Sequence, residues 1–342
     1  MKSLVTIVLI FVLLGCSETK RSHQYREVTV ETIYNEPISI RALEVMDGSI
    51  AFAGSNGLFG AIDVRSHQIR TSRETYDTIA PDFRVVGHTA TDFFMLSAGR
   101  PALLYKTGDT GNMELVYKED EEGVFYDAMK FWNNEEGIAV GDAMSGCLSI
   151  IITRDGGSTW NKFPCSQLPS AMEGEGAFAA SNTNIDIVGD KIWIGTTQSR
   201  VFYSPDKGAT WEVIQTPIIY EKATEGIYSI DFETGNLGVA VGGDYTNPEN
   251  TKATKAITRD GGKSWELIAN GQLPGYKSCV QFVPGSGGSD MVLAGFTGIS
   301  YSGDMGQTWK EFSTESFYTL RFVNDSVAYA AGKNRIAKLT FK

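Results

Sequence analysis

The sequence predicts an all-β, seven-bladed β-propeller. Three observations carry that expectation: an eight-residue motif recurring at blade-like spacing, seven short apolar strands each ending on small residues, and a composition made for tight turns. The motif is Thr153-Arg-Asp155-Gly-Gly157-Ser-Thr159-Trp160. It returns around Asp206 and Trp211, Asp260 and Trp265, and Asp304 and Trp309. A worn copy from Thr107 to Gly111 keeps the polar residues and loses the Trp. The five Asp positions (109, 155, 206, 260 and 304) lie 46, 51, 54 and 44 residues apart, and Asp63, 46 residues before Asp109, fits as a still weaker copy. Repeats of this length, each too small to bury its own faces, stack into rings or solenoids.

The motif has a local mechanism. Hydroxyl and carboxylate side chains hydrogen-bond nearby amides and lock a turn, glycine reaches backbone angles closed to other residues, and the Trp opens the next strand with a large ring to bury between blades. The Asp and Trp residues of the motif are therefore structural. Second strands of the seven units fall at 50–54, 93–97, 137–141, 191–195, 237–242, 291–295 and 327–332. The seventh unit runs out after a third strand at 335–341. The β-prone segment 27–34 precedes the first unit with no partner of its own, so it is expected to complete the last blade and close the ring, which removes two open sheet edges. With 37 Gly and 38 aromatic residues among 342, and no long segment of helical period, the composition agrees.

The N-terminus reads as processing signal. Lys2, an apolar run from Leu4 to Leu14 and Gly15-Cys16 have the layout of a secretory signal ending in a lipidation site at Cys16. The run is too short to span a bilayer. The expectation is a signal peptide over 1–16, a polar tether over 17–26 and one propeller over 27–342, held at a bacterial envelope membrane by its lipid and facing the periplasm or cell surface. Ser17 after Cys16 favours the outer membrane. Of the remaining cysteines, Cys147 and Cys165 flank the Asp155 turn and would face each other on a hairpin; a disulfide there and two unrelated buried thiols are both open.

The whole expected mature chain resembles the photosystem II stability/assembly factor-like propellers, in a bacterial lipoprotein branch often labelled "oxidoreductase". Besides the motif, which is similar to the Asp-box (BNR) repeat, the resemblance rests on Ser97-Ala-Gly-Arg-Pro101, Gly141-Asp142, the stretch Gly174-Glu-Gly-Ala-Phe-Ala-Ala-Ser181, Val241-Gly-Gly-Asp-Tyr245 and Gly275-Tyr276. It implies a seven-bladed ring that holds or assembles other proteins, with the boxes away from the working face. The oxidoreductase label finds no dinucleotide fingerprint, no Cys-x-x-Cys and only three scattered His.

A formal charge of −11 argues against a nucleic-acid partner. The acidic run 119–122 lacks the alternating spacing of a calcium loop and reads as a solvated turn. No metal or other cofactor is expected, and the chain reads as a monomer that binds a protein or small ligand rather than as an enzyme. Binding candidates lie on the loop face opposite the boxes: Arg41, Arg84, Asp127, Asp142, Glu175, Tyr228, Asp244 and Tyr318. The competing reading is a sialidase-type glycoside hydrolase built on Arg41, Arg84 and Arg321; it lacks the right motif around Arg41 and has seven units where sialidases have six blades.

Overall fold

The computed structural model describes residues 22–108 and 111–342. Cys16 and Asp109 lie outside them. Six sheets have four strands each in sequence order, from Ala42–Met46 through Ile69–Arg73 in blade 1 to Cys279–Phe282 through Lys310–Ser313 in blade 6. The seventh combines Val28–Ser39, Val327–Phe341 and Thr319–Phe322. Its 15-residue strand would reach about 50 Å if straight, yet Phe341 N donates to Ser326 O at 2.8 Å. The segment is therefore folded back on itself near Asn334, whose φ is +66°, and supplies two strands of a four-stranded blade. The N-terminal strand closes the ring as the pattern required: Val28 pairs with Phe341 and Thr32 with Ala337. It runs to Ser39, beyond the expected end at Tyr34, and the tether expected over 17–26 is already docked at its end. His23 bonds Asp290 through its amide and Nδ1, and Tyr25 packs into the core between blades 6 and 7.

Apolar clusters fill the gaps between neighbouring blades. Inner strands are covered by blades on both sides and are buried almost throughout, as in Tyr126–Phe131, whereas the outer Ile69–Arg73 faces solvent. Period-2 alternation is lost wherever both faces are covered.

Four Asp–Gly turns repeat one geometry. Thr153 Oγ1 donates to Asp155 Oδ1 at 2.9 Å and accepts from Gly157 N at 2.9 Å, while Asp155 takes Thr159 N at 2.9 Å and Thr159 Oγ1 at 2.7 Å. The bonds at Asp206, Asp260 and Asp304 match these within about 0.1 Å. Burial works against the charge of Asp155, Asp206 and Asp304, but the hydroxyl and amide donors outweigh it and hold all three below the usual carboxylate range. The glycine closing each turn has φ between +77° and +88°, which only glycine reaches without strain. Trp211, Trp265 and Trp309 donate Nε1 to the carbonyls of Gly208, Gly262 and Gly306 at 2.9–3.1 Å. Trp160 instead buries its Nε1 without a partner, its ring edge-on to Phe94 and Phe131.

Cys147 and Cys165 are joined as a disulfide with their Cα atoms 5.6 Å apart. Cys279 is a buried free thiol. The acidic run is not simply solvated: Glu119 accepts from the Tyr117 and Tyr126 hydroxyls and pairs with Lys162, and Asp120 pairs with Arg100.

Candidate functional site

On the face opposite the Asp–Gly turns, the loop leading into blade 4 crosses the ring axis and plugs it. Asn182 is the keystone. Its Nδ2 donates to Val86 O of blade 2 at 2.8 Å, its Oδ1 accepts from Met129 N of blade 3, and Arg321 of blade 7 donates to its carbonyl. The flanking residues reach the other side: Ser181 Oγ donates to Ser278 O, Thr319 Oγ1 donates to Ser181 O, and Ile230 N donates to Thr183 O. A channel of backbone groups that would otherwise need water is thus satisfied by one segment of the chain.

The plug turns the axial channel into a cup. Its volume is about 480 Å³, within the range typical of ligand sites, and Ala179 and Ala180 of the plug line it. Phe178 lies parallel to Tyr228 at 3.7 Å, Tyr276 stands edge-on to Tyr228 at 4.7 Å, and Phe296 follows at 5.3 Å from Tyr276. Tyr245, 48% exposed, and Phe296, 38% exposed, present their rings at the rim. On the other side Arg41 lies 4.2 Å from the centre of the Tyr318 ring and makes no ion pair among the described residues. Burial lowers its pKa, and the positive charge of Arg84 adds to that. Arg84 is held by Asp82 at 2.9 Å. The cup therefore offers one guanidinium without a carboxylate partner, a second beside it, and an aromatic wall.

Of the eight residues expected on this face, Arg41, Arg84, Tyr228 and Tyr318 line the cup together. Asp142 stands close by, accepting from Ala177 N at 3.3 Å; burial pushes its pKa up to about 6 against the pull of that amide. Asp127 lies fully buried at a strand bulge, and neither of its oxygens has a well-formed hydrogen bond. Burial, then the nearby charge of Asp142, raises its pKa well above the usual range inside the wall.

Besides the buried Asp127, two more of the eight are not available to a ligand. Glu175 is 1% exposed, its carboxylate taken by Arg200 Nε at 3.0 Å and Nη2, Thr196 Oγ1 at 2.7 Å and Met172 N at 2.8 Å. The two glycines beside it do not open it to solvent: Gly174, at φ +68°, lets the backbone turn, Gly176 leaves room for Asp142 against the chain, and the carboxylate faces inward and latches the plug loop to blade 4. Asp244 is fully buried, with Thr246 N and Oγ1 at 2.8 and 2.6 Å and Lys222 Nζ at 3.3 Å. Burial opposes its ionisation, but these donors prevail and its pKa is lowered. Glu175 and Asp244, two of the four acids predicted to charge the loop face, thus hold loops together, and the groups facing the cup opening are cationic and aromatic.

The arginine triad of the glycosidase reading is not assembled. Arg321 is 8% exposed and lies beneath the plug, tied to Glu44 and to Asn182 O, away from Arg41 and Arg84 in the cup.

Phe178, Tyr245, Tyr276, Phe296 and Asn182 went unrecognised as functional candidates. Four of them sit in stretches that stand out in the sequence, aromatic residues set among Gly and Ala, a pattern that marks a ring on a turn. Asn182 carries no such signal.

Seven blades, one closing strand and a plugged axial cup define this molecule as a seven-bladed β-propeller with a pocket over its axis. Among solved structures the chain is similar to YCF48 bound to a D1 peptide, at 15% identity and a TM-score of 0.65 over 94% of this chain and 98% of that one. It is also similar to a streptogramin B lyase, at 14% identity and a TM-score of 0.67 over 94% and 100%. YCF48 from Cyanidioschyzon merolae gives 12% and 0.63 over 92% and 98%. At these identities the likeness is one of fold. No protein-family model matches the chain, and no curated protein sequence matches it.

Proposed function

We propose that the chain is a non-catalytic binding scaffold whose axial cup takes a peptide segment carrying a carboxylate and an aromatic or aliphatic side chain. The observation that supports this most is the pairing of Arg41, free of any acidic partner among the described residues, with the ring wall of Tyr228, Tyr276 and Phe296. A guanidinium recognises a carboxylate through paired donors, and rigid rings bury apolar side chains at low entropic cost. A propeller of the same fold, YCF48, has been solved with a D1 peptide bound, which supports peptide binding as a use of this architecture. In this proposal the lipid on Cys16 keeps the cup at an envelope membrane surface; Cys16→Ala should then move the folded protein to the soluble fraction.

The test is fluorescence anisotropy with labelled acidic aromatic peptides and their amidated counterparts. Loss of one charge-assisted contact costs about 1.5–3 kcal/mol, so Arg41→Ala should weaken the acidic peptide by roughly 10- to 100-fold and leave the neutral one nearly unchanged. Equal affinity for both peptides, or an Arg41→Ala variant that binds as well as the parent, would refute this reading.

A further inference from the structure

Residues 22–26 are fastened to one end of the ring. Ser22 Oγ lies 3.5 Å from the Tyr301 hydroxyl, and a β-carbon on Gly303, in the Asp–Gly turn of blade 6, would meet it at 3.0 Å. His23 donates its amide to Asp290 Oδ2 at 2.7 Å, and its Nδ1 lies 2.8 Å from the same oxygen. Asp290 ends the connection between the first two strands of blade 6, and the Met305 amide of the Asp–Gly turn donates to the neighbouring Ser289 O. Tyr25 Oη donates to Asp325 O at 2.6 Å, in the same connection of blade 7, and Lys310 Nζ donates to Arg26 O at 2.8 Å. Each of these partners sits at the end that carries the Asp–Gly turns. Ser22 and His23 dock on the second and third strands of blade 6, inside its outer strand, so the chain leaves from under the ring and not from its side wall.

The cup opens at the other end, and the closing strand measures the distance between the two. Val28 pairs with Phe341 at the Asp–Gly end, and Ser39 lies two residues before Arg41 of the cup. Twelve strand residues with two register shifts between them span about 30–35 Å. Six peptide steps separate Cys16 from Ser22, and fully extended they reach at most about 22 Å. A lipid on Cys16 is therefore held on the Asp–Gly side and cannot come level with the cup rim.

We propose that the protein stands on its membrane with the Asp–Gly face against the lipid and the cup opening away from it. The cup's partner is then a peptide segment presented from the aqueous side, clear of the bilayer by the thickness of the ring, and not one emerging directly from the membrane. This orientation rests on the lipid at Cys16, and its consequence for the partner rests on the peptide reading of the cup. Lys20 and Arg21 lie between the lipid and the docked residues, two positive charges of the kind anionic headgroups attract.

The test is energy transfer from the full lipidated chain, added to preformed phosphatidylethanolamine–phosphatidylglycerol vesicles, to a rhodamine-labelled lipid in them. The donor is carried on one introduced cysteine: Gln307→Cys or Ser158→Cys in the Asp–Gly turns of blades 6 and 3, or Leu273→Cys on the cup side. All three positions are exposed, and Cys147, Cys165 and Cys279 are bridged or buried, so the new thiol takes the label. Transfer should be several-fold stronger from positions 307 and 158 than from 273. A chain that sediments with the vesicles but transfers equally from all three, or most strongly from 273, overturns the orientation and leaves the anchor standing. A ring on its edge, strong at 307 and as weak at 158 as at 273, overturns it too. A chain that stays in the soluble fraction refutes the anchor, and the orientation with it. The transfer needs no peptide, so failure of the cup reading is seen separately, in the anisotropy assay. An acidic aromatic peptide in solution should bind the vesicle-held chain and the soluble Cys16→Ala chain with the same Kd; affinity lost only on the vesicles would place the cup against the lipid and overturn the proposal.

Discussion

Replacing Glu175 should loosen the molecule far more than replacing any surface acid. Its carboxylate is completely buried and receives four donors: two from Arg200, one from Thr196 and one from the Met172 amide. Arg200 has nowhere else to place its charge, because its remaining bond is to Ser170 O on the same loop. Removing one partner of a buried, fully bonded pair leaves the other charge uncompensated and costs about 3–5 kcal/mol. For a domain of this length the unfolding entropy is roughly 0.65 kcal/mol/K, so Glu175→Ala should lower Tm by about 5–8 °C. Arg200→Ala should cost a similar amount, and the double variant less than the sum, with a coupling of roughly 2–3 kcal/mol. Calorimetry on the four proteins of this cycle measures it. The same cycle should report on the cup, since Phe178 lies three residues along and stacks on Tyr228; peptide affinity should fall in each single variant. Strict additivity of the two substitutions would refute the latch, and unchanged stability in Glu175→Ala would refute the burial argument beneath it.

Other expectations follow from single features. Trp211→Ala should destabilise by about 3–5 kcal/mol through lost burial, while Trp211→Phe should cost about 1 kcal/mol more than Trp160→Phe, because only Trp211 gives up an indole hydrogen bond; urea melts compare them. Asp142, with a pKa near 6 when folded and about 3.9 when unfolded, holds its proton more tightly in the folded state. Its contribution is full below pH 4, declines between about pH 4 and 6, and is gone above. Asp142→Asn should therefore be neutral at pH 4 and stabilising at pH 7.5, by at most roughly 3 kcal/mol, and a difference independent of pH would contradict this. Deleting Val28–Ser39 strips the outer strand from the last blade and exposes an edge; light scattering should show association, and a monodisperse truncated protein would show that closure is dispensable.

Blade number and the hydrogen bonds of four turns were legible in the chain because each depends on residues close in sequence; ring closure joins distant ends, Val28 to Phe341, and was legible because an unpartnered first strand and a last unit one strand short complete each other. Thr153, Asp155, Gly157 and Thr159 sit within seven positions, and their bonds need no knowledge of the rest of the fold. Burial of the Trp rings followed from the same periodicity. The identity of the cup did not. Arg41, Arg84, Tyr228 and Tyr318 were found because they start inner strands, and the ring geometry brings all such starts together. Glu175 and Asp244 start or follow strands equally well, yet they turn inward, because Arg200 reaches Glu175 from a strand of blade 4 and Lys222 reaches Asp244 from a separate loop. Asn182 bonds backbone groups 53 and 96 residues away and the Arg321 guanidinium 139 residues away, so its role as keystone exists only once seven blades surround it. Local turn chemistry is written in short-range sequence. Whether a charged side chain faces a ligand or a buried partner is decided by which distant segments the closed ring sets beside it.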